Sequence, residues 1–301
     1  MKKKIQFMGL LSNVDSSILK LKLDNGYKIY SMPEKEGVTL ISTFDKVGVL
    51  DARMDNSSYF NSTEKEMYYI SKTFESDMEM NSEGILTDLP TEPEYRDSGE
   101  YGREITRLMR LFKEGDIRMA KSYYFTEHDG SNHNFMSFRN SLPISDSKYH
   151  LEDSEILELE NFIDKIKLPF GLPYLQLAFE SFEESHNIHN RGLSFLILMM
   201  ALEVLFSPAD DRELSYRIRR NIAVLLGKTQ GESEAIYKEI RKLYDIRCEI
   251  SHAGKWKTVN QESLLILREY VRKAIKRISL FGKSKDDLSD LLNASGFGTD
   301  L

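Results

Sequence analysis

Arg247 and His252 lie five residues apart in the stretch Leu243-Tyr244-Asp245-Ile246-Arg247-Cys248-Glu249-Ile250-Ser251-His252-Ala253-Gly254. They join a permanent cation to a group that exchanges protons near neutral pH. Such a pair suits acid–base chemistry on a phosphate. The imidazole takes the proton of an attacking hydroxyl, and the guanidinium holds the charge that gathers on phosphorus. The element that positions them is a helix. Ile236, Ile240, Leu243 and Ile250 recur at the spacing of one buried face, with Lys238, Arg241, Lys242, Asp245 and Glu249 opposite. At about 100° per residue, Arg247 falls near the middle of the apolar stripe. A guanidinium there must meet a carboxylate, a backbone acceptor or a bound anion, or face an open groove. His252 precedes Ala253-Gly254, where glycine offers the left-handed residue that commonly ends a helix. The negative end of the helix dipole favours imidazolium and desolvation opposes it, so titration near neutrality is expected. On an unbroken helix the two residues diverge by roughly 140°. They converge only if the helix unwinds at its end, or if a second chain brings its own pair.

Arg247-Cys248-Glu249-Ile250-Ser251-His252 matches the signature of the HEPN superfamily, an arginine, four to six residues, then a histidine. Ala201-Leu202-Glu203-Val204-Leu205-Phe206, the arginine-rich stretch from Arg217 to Leu226, Leu243-Tyr244-Asp245-Ile246-Arg247, and His252-Ala253-Gly254 resemble its Apea-like branch, over about residues 152–282. The resemblance implies a helical-bundle module, often a metal-independent ribonuclease. Arg247 and His252 would then be catalytic, RNA the substrate, and no metal or cofactor needed. It also implies a homodimer through the C-terminal half, in which two protomers bring their motifs into one cleft, and a setting such as antiphage defence. Cys248 departs from the polar residue, often Asn, that many active members carry after the arginine. A non-catalytic dimerisation or binding module is therefore the alternative.

Several neighbours have two readings. Glu203, the lone carboxylate of an apolar helix, either pairs with Arg247 or satisfies another bundle arginine. Tyr244 and Ser251, about one turn either side of Arg247, either line a cleft or, for Tyr244, fill core. Arg217, Arg219 and Arg220 either hold RNA phosphates or are solubilising charge. Cys248 falls on the polar side without a base beside it and is not a nucleophile candidate.

Charge supports a phosphate partner only locally. The net charge is -7, yet residues 152–211 carry 3 basic against 12 acidic side chains, and residues 212–282 carry 16 against 8. The segment holding Arg247 and His252 is thus the basic one. RNA is the expected partner and DNA is not. A single cysteine excludes an intramolecular disulfide or a cysteine-based zinc cluster, and fits a reducing cytoplasm. The run from Leu193 to Phe206 is short of the roughly 20 residues that a bilayer crossing needs, and it contains Glu203. It reads as a buried central helix, with no membrane partner. Met1-Lys2-Lys3-Lys4 has the charge of a signal-peptide start, but the apolar run behind it is short and reads as a first strand.

The chain reads as α+β. Residues 1–150 form a mixed α/β domain with antiparallel strands, a sensor or regulator in the ribonuclease reading. Residues 151–282 form an all-α bundle, and residues 283–301 a polar, loose tail. In the first half, a strand over 4–11 is followed by a hairpin, Ile18–Leu23 and Tyr27–Tyr30 around Asp24-Asn25-Gly26. Helices are expected over Gly37–Phe44, Glu64–Phe74 and Glu100–Phe112, a loop over Thr87–Ser98, and strands near Ile117–Thr126 and Asn134–Arg139. In the second half, prolines and glycines separate helices near Asp153–Lys167, Pro173–Ser185, Leu193–Phe206, Arg212–Leu226, Glu232–Ser251 and Gln261–Phe281. His128, Asp129 and His133 at a hairpin tip, and His186 with His189, are more simply solvated polar residues than metal ligands.

Overall fold

The computed structural model describes residues 2–37, 66–77, 93–128, 131–139, 148–207, 213–253, 259–299 and 301. The chain divides into two compact units, Met1–Lys165 and Ile166–Leu301. The mixed α+β class follows from their contents.

The first unit is built on a sheet whose strand order is β2-β3-β1-β4-β5, antiparallel throughout. Its strands are β1 (Lys2–Ser12), β2 (Lys28–Pro33), β3 (Glu66–Asp77), β4 (Arg118–His128) and β5 (Ser131–Arg139). β1 lies in the middle, and both its faces are covered, which explains its nearly continuous apolar run. Phe7 meets Tyr27 and Tyr124 on one face. Met8 and Leu10 join Met67, Ala120, Tyr123 and Phe125 on the other. Helix α1 (Pro93–Phe112) packs on the sheet through Ile105, Leu108 and Met109, all buried. Gly102 and Gly9 allow the close approach, since a Cβ on either would stand 2.5 Å from Met119 Sδ. Helix α2 (Asp153–Lys165) sets Phe162 against Phe112 and Glu155 against Lys113. It therefore sits in the first unit, although the sequence grouped it with the later helices.

Three expectations for this half are corrected. The hairpin at Asp24-Asn25-Gly26 does not form. Asn25 and Gly26 do adopt positive φ (53° and 79°), but Ser16–Lys20 is a 3-10 turn and β2 pairs with β3. Asp15 caps the turn through Ser17 N at 2.9 Å, and Lys22 N donates to Glu160 of α2, so this stretch folds as a turn packed near β2 instead of pairing with it. The helix expected over Glu64–Phe74 is strand β3, because Met67, Tyr68, Ile70 and Phe74 are buried between two neighbouring strands. Part of the loop expected over Thr87–Ser98 is the first turns of α1, entered at Pro93. The helix expected over Gly37–Phe44 lies mostly outside the described residues.

His150 closes this unit. Its Nδ1 lies 2.8 Å from Asp15 and its Nε2 3.4 Å from Glu152. The hydrogen bond to Asp15, then the charges of Asp15 and Glu152, raise the His150 pKa against weak opposition from burial and Lys113. A histidine whose folded pKa is raised adds stability that is fully present below its unfolded pKa and lost as pH rises through the folded value. His150→Asn should therefore lower the melting temperature slightly in acid, with the gap closing as pH rises through the raised folded value. The effect is small because the ring is half exposed. Thermal melts across pH check this, and an equal deficit at every pH would contradict it.

The second unit is helical throughout its described elements. These are α3 (Pro173–Ser185), α4 (Arg191–Phe206), α5 (Leu214–Leu226), α6 (Gln230–Ala253), α7 (Gln261–Phe281) and α8 (Lys285–Ala294). α4 is the central one. Phe195, Leu198, Met199, Ala201, Leu202, Leu205 and Phe206 are all buried, and it packs against α3, α5, α6 and α7. Asn190 caps it by accepting from Leu193 N. The tail expected to be loose is instead ordered. Ser284 caps α8, Leu288 and Leu292 are buried, and Phe297 packs on Tyr237. Among the described residues no helix is long and apolar enough to cross a membrane.

Candidate active site

The sequence dictates where α6 starts. Thr229 Oγ1 accepts from Glu232 N at 3.2 Å, and Glu232 reaches back to Lys228 N at 2.8 Å, a reciprocal cap one residue wider than the usual box. Ile240, Leu243 and Ile250 then bury one face, with Arg247 between the last two. The helix runs unbroken to Ala253, so it carries Arg247, Ser251 and His252 on one continuous course.

Arg247 meets Glu203 of α4, with Nη2 3.2 Å from Oε1. Of the two partners proposed for that carboxylate, the arginine is the one it contacts. Glu203 Oε1 is shielded from water and accepts no hydrogen bond among the described residues, so this contact is an ion pair whose N–H bonds miss the oxygen. The guanidinium is not sealed in. Its side chain is 28% exposed, and one side lies 5.6 Å from the Tyr244 ring centre. Burial raises the Tyr244 pKa; the Arg247 cation opposes this and the Glu203 carboxylate adds to it. Tyr244 is half-buried, so it walls the arginine while part of it stays open. Ser251 is exposed one turn beyond Arg247, and Cys248 is half-buried.

α5 adds a second cation. Arg219 Nε donates to Ser215 O at 2.9 Å, and its guanidinium stacks 5.2 Å from the Tyr237 ring of α6. Tyr216, 46% exposed, meets Tyr237 edge-on at 6.3 Å. The Arg219 charge adds a small opposition to the rise that burial imposes on the Tyr244 pKa. Tyr216, Arg219, Tyr237, Tyr244 and Arg247 thus follow one another along α5 and α6. Tyr216 and Tyr237 were not foreseen, although their spacings were visible: Tyr216 is three residues before Arg219, and Tyr237 seven before Tyr244.

The other two arginines of α5 divide. Arg217 is half-buried and bonded within the protein, with its backbone N–H on Glu213 O at 3.0 Å. Arg220, read as a phosphate contact or as solubilising charge, does neither and caps α8. It donates to Leu292 O at 2.8 Å and to Ser295 O at 2.7 Å, satisfying carbonyls that a helix end leaves over. Arg220→Ala is expected to cost about 1.5–3 kcal/mol, the range for hydrogen bonds that involve a charged group. Chemical denaturation measures it, and an unchanged midpoint would contradict the capping role.

His252 lies on the final turn of α6, and its side chain is outside the described residues. Five residues of unbroken helix turn it roughly 140° from Arg247. Of the two routes to convergence, unwinding of the helix between them is not taken. His186 is buried against Phe182 and His189 is exposed. β4 extends through His128 and β5 through His133, Asp129 lies outside the described residues, and none of the three has a described side chain. Among the described residues no three histidine, cysteine or acidic side chains are grouped to hold a metal.

No family model, curated protein or solved structure matches this chain.

Proposed function

We propose that the protein is a metal-independent endoribonuclease of HEPN type, acting as a homodimer through its helical unit. The observation that carries this reading is Arg247, a guanidinium set in an apolar stripe, paired to Glu203 yet still open to solvent. In the reaction, His252 takes the proton of a ribose 2′-hydroxyl, the 2′-oxygen bonds to phosphorus, and Arg247 holds the charge on the phosphoryl oxygens. The bond to the 5′-oxygen breaks, that oxygen takes a proton from water, and the hydroxide left takes up the proton that His252 removed. The products are a 2′,3′-cyclic phosphate and a 5′-hydroxyl. Because α6 turns Arg247 and His252 to different sides, the reading requires a composite cleft in which the arginine of one protomer meets the histidine of the other. Tyr216, Arg219, Tyr237 and Tyr244 offer rings and a cation to unpaired bases and phosphates leading to that cleft. Antiphage defence, with the first unit as sensor, completes the proposal by resemblance.

The test is incubation of purified protein with total RNA and with tRNA in EDTA, beside His252→Ala. Cutting that leaves cyclic phosphate ends, and is lost in the variant, supports the enzyme. A clean wild-type protein that cuts neither substrate favours a binding module. The unbroken course of α6 and Cys248 after the arginine speak for that second reading.

A further inference from the structure

α6 carries a second pattern beside its buried stripe. Tyr237, Arg241 and Tyr244 follow one another at steps of four and three residues, the spacing of one helical face. Arg241 is exposed and both tyrosines are half-buried, so this face borders solvent. Seven residues bring a helix back to within roughly 20° of the same direction after a rise of about 10 Å. The two rings therefore stand in line with a cation between them. Each ring also has an arginine over it, Arg219 at 5.2 Å from the centre of Tyr237 and Arg247 at 5.6 Å from that of Tyr244. At the α5 end, Tyr216 and Phe297 flank Tyr237 at 6.3 Å and 6.0 Å. Tyr237 is thus the floor of a three-ring platform, and Tyr216, 46% exposed, is its open ring. Glu203 compensates Arg247. Arg219 and Arg241 pair with no carboxylate among the described residues, not even Asp245, four residues beyond Arg241.

We propose that this face is a track for single-stranded RNA with two stacking positions about two helical turns apart. One base lies on Tyr216 above the Tyr237 platform, another lies on Tyr244, and the phosphates between them lie on Arg219 and Arg241. The track deepens the ribonuclease reading, on which its direction toward Arg247 rests. Stacking on a ring needs an unpaired base and accepts any base, so the track selects strandedness and not sequence. A duplex keeps its bases stacked on each other and would reach only the cations. At roughly 3.4 Å per nucleotide in a stacked strand, the gap between positions is about three steps, and an extended strand crosses it in fewer. A strand too short to cross it occupies one position only.

The test is fluorescence anisotropy of the full chain with labelled 2′-O-methyl oligouridine, which has no free 2′-hydroxyl and so cannot be cut by the proposed route, beside the same strand annealed to its complement. The single strand should bind roughly tenfold more tightly than the duplex, and affinity should step up once the strand is long enough to span both rings. Tyr216→Ala and Tyr244→Leu should each weaken binding by roughly fivefold or more, the cost of losing one stacked base, while Tyr216→Phe and Tyr244→Phe keep it. Arg241→Gln should reduce the slope of log affinity against log salt by about 0.7, one phosphate contact. The proposal fails if the strand does not bind, if the duplex binds as tightly, or if Tyr216→Ala and Tyr244→Leu both keep wild-type affinity. RNA cutting in EDTA with unaltered binding by those two variants would remove the track and leave the enzyme. The predicted binding without any cutting would keep the track and remove the enzyme.

Discussion

Alanine in place of Arg247 is expected to slow metal-independent RNA cleavage by roughly a hundred- to a thousand-fold, the usual cost of removing one group that stabilises transition-state charge. The same change removes the cation facing Glu203, whose Oε1 is shielded from water. A loss of stability should accompany it, because a largely buried carboxylate is left without the cation that faces it. The two effects separate because rates are compared at temperatures where both proteins are folded. Arg247→Lys sharpens the comparison: it keeps the charge and loses the planar fork, so partial activity is expected. Glu203→Gln tests a positioning residue. It should lower the rate less than Arg247→Ala while leaving unchanged the pH at which the rate rises, since the proposed mechanism assigns that limb to His252. Wild-type cutting by Arg247→Ala would remove the chemical role of the arginine outright.

The second large effect belongs to stability. Arg118 and Asp116 form an ion pair at 2.8 Å, with side chains 4% and 1% exposed. Asp116→Ala is expected to destabilise the first unit by about 3–5 kcal/mol, because it leaves a buried guanidinium without its carboxylate. Replacing both, as Asp116→Ala with Arg118→Met, should recover much of that loss, since the unmatched charge goes with the pair. Urea denaturation of the single and double variants makes the comparison. If the double variant is as unstable as the sum of the single changes, the charge imbalance is not the cause.

Most of the helical unit was legible because α5, α6 and α7 repeat apolar residues on one face and stop before a glycine, and α4 is a continuous apolar run. α3 and α7 run over the expected residues, Pro173–Ser185 and Gln261–Phe281. The sheet was harder, since the apolar residues of β3 are dense enough to satisfy a helical spacing as well as an alternating one. Its place between β1 and β2 decides the matter, and that pairing joins residues far apart in sequence. The Leu-Lys alternation at 19–23 likewise suggested a strand, which the capping by Asp15 and the contact of Lys22 with Glu160 override. At the site, the spacing placed Arg247 on an apolar face and offered Glu203 as one partner. The role of Arg220 was hidden because α8 was not anticipated, and without that helix its carbonyl partners have no position.

The sheet order carries a consequence for synthesis. β1 precedes β3 and β4 in the chain, yet it is the strand that lies between them. As a nascent chain leaves the ribosome, this apolar ribbon emerges with both edges bare and stays so until the later strands follow. Such a segment is a template for unwanted pairing with other chains. Its three lysines, Lys2 to Lys4, put repelling charge at one end of the ribbon during that wait.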